Sequence, residues 1–134
     1  MTQADKELLL KDLCARLPYG LKVKCEYYPF PVTILYSGND DEVKFKESGG
    51  IENICVIKPY LFPLSSMTDE QKKDYNSLRD LVPTMVQCEV GNLMDDFELV
   101  DNWKSIDYLN ANYFDYRGLI EDGLAIDATG QNIY

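Results

Sequence analysis

The sequence predicts a single α+β domain over residues 1–134: an N-terminal helix, a small antiparallel β-meander, then a mainly helical C-terminal half with a short terminal strand. Three observations predict it. An apolar stripe at helical spacing opens the chain. Four runs of alternating character follow over residues 21–58, joined by links too short for parallel crossovers, and capping signals recur beyond residue 67. At 134 residues, 46% hydrophobic and 27% charged, the composition is that of a globular chain able to bury one core.

Taken in order, Leu9, Leu10, Leu13, Cys14 and Leu17 share a helical face, Thr2 or Asp5 caps the start, and Pro18 with Gly20 ends the run. "LKVKCEYY" alternates Leu21, Val23, Cys25 and Tyr27 with Lys22, Lys24 and Glu26, as a half-buried strand does. "VTILYSG" and "VKFKES" flank the turn cluster "GNDDE", and "NICVIKP" follows Gly49 and Gly50. Thr68 and Gln71 form a capping box for a helix that turns Tyr75, Leu78, Leu81 and Val82 inward and stops at Pro83. The secondary structure of residues 84–91 stays open, because Val86, Cys88 and Val90 alternate only briefly. Beyond it, Leu93, Met94, Phe97 and Val100 fit one helical face capped by Asn92. Asp101 or Asn102 caps a further helix with Trp103, Ile106, Leu109 and Tyr113 facing the core.

Histidine is absent. Ser-His-Asp and Cys-His nucleophile activation, H-E-x-x-H zinc sites and imidazole acid/base catalysis therefore cannot be assembled within this chain. Carboxylate pairs, magnesium sites and a Lys or Cys nucleophile remain open. Cys14, Cys25, Cys55 and Cys88 form no C-x-x-C pair, so reduced thiols in a cytosol are expected. Charges interrupt the leucines of the first 20 residues, unlike a signal peptide, and no apolar run approaches the ~20 residues of a membrane span. A cytoplasmic protein with no cofactor and no membrane partner is the expectation; oligomeric state is left open.

Charge is segregated. Residues 1–79 carry 12 acids and 11 bases, whereas residues 80–134 carry 11 acids against only Lys104 and Arg117, and the whole chain is −10. Such a field repels nucleic-acid phosphates and favours a basic protein partner. The candidate interaction surface is Asp95, Asp96, Glu98, Asp101, Glu121 and Asp122. Cation binding by "GNDDE" or "DDFELVD" is the sharper reading of those clusters, but a hairpin turn and a solvated helix face are the commoner ones.

The stretch "NYFDYRGLIEDGLAIDATGQNIY" has a structural explanation at each glycine. Gly118 and Gly123 reverse the chain, "LAID" adds a short edge strand, and Arg117 pairs with Asp115, Glu121 or Asp122 to fasten the loop. Together with "LLLKDLCARLPYGLKV" and "KPYLFPLSSMTDEQ", it resembles segments of uncharacterised small proteins of gut Bacteroides and their phages or integrated elements. The resemblance spans both ends and the middle joint of the chain, leaving the meander loops and residues 84–101 uncovered. It implies an accessory protein of a mobile element acting in the cytoplasm, and it carries no catalytic residue across. Two functions compete: a non-enzymatic interaction module with an acidic docking surface, and a carboxylate-based metal binder or enzyme using Asp95, Asp96, Glu98, Glu121 or Asp122.

Overall fold

The computed structural model describes the backbone of residues 1–39, 42–88 and 91–134, and the side chains of all these except 36–39, 83–88 and 91–97. In chain order the elements are α1 (Gln3–Arg16), β1 (Lys22–Cys25), β2 (Val32–Asn39), β3 (Glu42–Phe45), β4 (Ile51–Asn53), β5 (Ile57–Pro63), α2 (Asp69–Leu78), β6 (Asp80–Cys88), β7 (Gly91–Val100), α3 (Trp103–Ala111), β8 (Phe114–Asp115) and β9 (Ile126–Asp127). The chain divides into two compact units, Met1–Met67 with Asn110–Tyr134, and Thr68–Leu109.

In the first unit α1 starts at a reciprocal cap. Thr2 Oγ1 accepts the Asp5 N–H and Asp5 Oδ2 accepts the Thr2 N–H, both at 3.1 Å, which satisfies two donors that a helix start leaves free. The antiparallel meander runs through β1, β2, β3 and β4, and β5 returns to pair antiparallel with β1, giving the order β4-β3-β2-β1-β5. Residues 40 and 41 of the "GNDDE" turn lie outside the described residues. The step from Asn53 to Ile57 reaches ~14 Å at most, whereas a flat sheet would hold β4 and β5 about 19 Å apart. The sheet therefore coils on itself, and register shifts between β2 and β3 supply the bend. Leu9 and Leu13 of α1 join Val23, Val32, Phe45 and Leu61 from the sheet in one buried cluster, which also takes in Leu119 and Leu124.

The sheet is mixed, which corrects the purely antiparallel expectation. β8 and β9 both run parallel to β5, through Phe62 opposite Phe114 and Tyr60 opposite Ile126. A parallel partner requires a long crossover, and the chain between β5 and β8 supplies it. The expected short terminal strand is β9.

The second unit departs further from the sequence reading. Residues 92–100, expected as a helix, form β7 and pair antiparallel with β6, which also settles residues 84–88 as strand. The register runs from Phe97 opposite Pro83 to Met94 opposite Met85. A step of two on β6 thus matches a step of three on β7, the signature of an inserted residue. That three-residue step is what helical spacing counts. α2 begins at the expected box, with Gln71 N–H on Thr68 Oγ1 at 3.1 Å and Thr68 N–H on Gln71 Oε1 at 2.9 Å. It ends at Leu78 rather than Val82, because Asp80, Leu81 and Val82 are drawn into the ladder opposite Val100, Leu99 and Glu98. Leu81 is accordingly 63% exposed. Trp103, expected in the core, is 72% exposed. Asn102 caps α3, accepting the Ser105 N–H at 2.9 Å, and the buried stripe becomes Ser105 and Leu109.

Nuclear Overhauser contacts between Val82 and Glu98 and between Leu81 and Leu99 are expected, with strand-type Cα shifts through residues 92–100. Helical i to i+3 contacts in that segment would contradict the hairpin.

Candidate functional site

The residues that fasten "FDYRGLIEDG" begin on α1. Asp12 and Arg16 are one turn apart and both fully buried. Asp12 Oδ2 accepts Arg16 Nε at 2.9 Å, while Oδ1 accepts Arg16 Nη2 at 3.1 Å and Arg117 Nη1 at 2.7 Å. Arg16 Nη2 also donates to the Phe114 carbonyl at 2.6 Å. Tyr116 faces both guanidinium groups: the guanidinium carbons of Arg117 and Arg16 lie 4.5 and 5.4 Å from its ring centroid, within cation–π range. The Tyr116 hydroxyl is itself held, at 2.8 Å from Asn110 Oδ1.

This corrects the expected partners of Arg117. Asp115 is turned onto its own loop, where its two oxygens accept the Leu119 and Ile120 N–H groups, each at 2.9 Å, and Glu121 and Asp122 are exposed. Gly118 and Gly123 have φ of +75° and +74°, as a chain reversal requires. Tyr134 completes the stretch: its hydroxyl accepts the Lys22 N–H at 3.0 Å and donates to the Tyr60 carbonyl at 2.8 Å, and its ring stacks on Tyr113 at 3.7 Å. Burial pushes the Tyr134 phenol well above its ordinary range. The signal for Asp12 and Arg16 was present in the sequence, since Leu9, Asp12, Leu13 and Arg16 recur at one-face spacing.

The acidic candidates fall in both units. Glu98 and Asp101 belong to the second, Glu121 and Asp122 to the first, and the side chains of Asp95 and Asp96 lie outside the described residues. Asp101 is engaged: it accepts the Tyr75 hydroxyl and, at 3.0 Å, Ser105 Oγ, with Arg79 Nε at 3.5 Å. Arg79 also donates to the Leu99 carbonyl at 2.7 Å, and Asn102 Nδ2 to that of Leu78 at 2.7 Å, so this cluster ties α2, β7 and the start of α3 together. Glu98 is exposed. Among the described residues, no three Cys, Asp or Glu side chains are grouped to hold a metal ion, and no helix is long and apolar enough to cross a membrane.

Beside the fastened loop lies an open cleft of about 360 Å³, lined by Pro63, Leu64, Ser65, Asp115, Tyr116, Gly118, Ile120 and Glu121. It carries two carboxylates and no cation. Asp115 is committed to backbone amides, which leaves Glu121 as the carboxylate facing solvent. No protein-family model, curated protein or solved structure matches the chain.

Two outcomes follow from these clusters. Asp12→Ala leaves Arg16 buried without its carboxylate and lowers unfolding free energy by about 3–5 kcal/mol. Arg117→Ala leaves the Asp12–Arg16 pair intact and costs less, about 1.5–3 kcal/mol; equal losses in urea titration would contradict this geometry. Burial, then the hydrogen bond to Asp101 and that carboxylate's charge, push the Tyr75 phenol up to about 12. The native state keeps this proton while the unfolded phenol releases it near about 10. Stability from Tyr75 is therefore complete below about pH 10 and lost as pH rises to about 12. Tyr75→Phe should remove a late-titrating phenolate from the ultraviolet titration and shallow that alkaline loss; an unchanged titration would refute the assignment.

Proposed function

We propose that the chain is a non-enzymatic cytoplasmic accessory protein that docks on a basic protein surface through carboxylates of its acidic half. The resemblance of "KPYLFPLSSMT" and "FDYRGLIEDGLAI" to proteins of Bacteroides phages and integrated elements supplies the context. One observation carries the reading: the cleft beside the fastened loop is acidic, partly apolar and built on a rigid base. A lysine or arginine from a partner fits it, stem along Leu64 and Ile120 and cationic head at Glu121, the division of labour such side chains favour. Exposed Asp122 follows Glu121 in the chain, and the −9 balance of residues 80–134 draws cationic surfaces from a distance. The same field opposes nucleic-acid phosphates, and the absence of histidine supports a non-catalytic role. A carboxylate-based metal site or enzyme has no observation in its favour among the described residues.

Capture from host cytoplasm with the full chain as bait tests this. A protein with a basic surface should bind at low salt and be released as the screening length falls to about 8 Å at physiological ionic strength and below. Glu121→Gln with Asp122→Asn should keep the fold and slow association with that partner. Capture of nothing at low salt, or equal binding by the neutralised variant, would contradict the proposal.

A further inference from the structure

We infer that a cavity on the outer side of the β1–β5 pair binds a small organic anion, its charged group held between Lys24 and Lys58. The two lysines are direct cross-strand partners in the antiparallel ladder. Their strand neighbours Val23, Cys25, Ile57 and Pro59 are buried, so Lys24 and Lys58 project together away from the core. Residues so paired stand about 5 Å apart at Cβ, and like charges there are destabilising. The register thus sets two lysines directly opposite each other on the sheet, in a chain whose net charge is −10. An anion between them converts that repulsion into two charge-assisted hydrogen bonds.

The surroundings give the ligand its shape. Lys24 and Lys58 line a cavity of about 240 Å³ with Glu26, Cys55, Val56 and Ile126. Two ammonium groups against the single Glu26 carboxylate leave the lining positive. Val56 and Ile126 form an apolar wall, which suits a carboxylate or phosphate carried on a small apolar group rather than a bare inorganic ion. The walls are fixed by backbone: Glu26 N–H donates to the Val56 carbonyl at 3.1 Å, the Cys55 N–H is held by Asn53 Oδ1 at 2.8 Å, and Ile126 sits opposite Tyr60 in the parallel pairing. The site is independent of the acidic cleft, with different residues and the opposite ligand charge.

Phenyl phosphate is the probe, added to the full isotopically labelled chain at physiological salt, with inorganic phosphate and phenol as separate arms. Saturable amide shifts at Lys24, Cys55, Val56, Lys58 and Ile126 are expected, along with slower alkylation of Cys55 by iodoacetamide. Phenol and inorganic phosphate should each bind more weakly. Lys24→Gln with Lys58→Gln should weaken phenyl phosphate by about tenfold or more, while Lys24→Arg with Lys58→Arg retains it. Shifts that fail to saturate, phenol or inorganic phosphate binding as tightly as phenyl phosphate, or undiminished binding by the glutamine variant would each overturn the proposal.

Discussion

The carboxylate of Asp12 is the point at which the first unit is fastened. It lies fully buried on α1 and accepts hydrogen bonds from two guanidinium groups, one on its own helix and one 105 residues further along the chain. A buried charge is tolerated only when its partners are in place. Here the partners can be in place only when Arg117 has folded back over α1, with Gly118 turning the chain behind it. The same arrangement brings the Phe114 carbonyl to Arg16, and Phe114 opens β8 against β5. Helix, loop and sheet edge thus share one electrostatic fixture, around which Leu119 and Leu124 reach the apolar cluster.

This fixture also shapes the surface. Residues 80–134 carry two basic side chains. Arg117 is committed to Asp12, and Lys104 lies over the exposed Trp103 ring at 5.6 Å. Neither is among the residues that line the cleft with Glu121. The opposite arrangement occurs on the β1–β5 face, where two lysines adjoin without a matched pair of acids. Among the described residues, Lys24 and Lys58 thus line one cavity with Glu26, while Asp115 and Glu121 line the other.

What could be read from the sequence follows the range of the interactions. Caps are local, so Thr68 with Gln71 was legible from four consecutive positions, as was the alternation of Val23 and Cys25 with Lys22 and Lys24. β7 was misread because the inserted residue opposite Thr84 and Met85 turns a two-residue period into a three-residue one, and only the partner strand distinguishes the two. Trp103 was misplaced because apolar spacing outweighed the cap: once Asn102 and Ser105 lock together, the inward position belongs to a small polar residue. Asp12 and Arg16 share a helical face with Leu9 and Leu13, a local signal of their burial, but their third partner, Arg117, lies 105 residues beyond Asp12, where no local pattern identifies it.

The most direct test of this fixture is native-state hydrogen exchange of Asp12→Asn, a change that keeps the shape of the side chain and removes its charge. If Asp12 joins α1 to the loop, protection should fall together at Leu13 and Arg16 on the helix and at Leu119, Ile120 and Leu124 on the loop, with β2 and β3 less affected. Loss confined to the helix, with the loop amides still protected, would contradict the account.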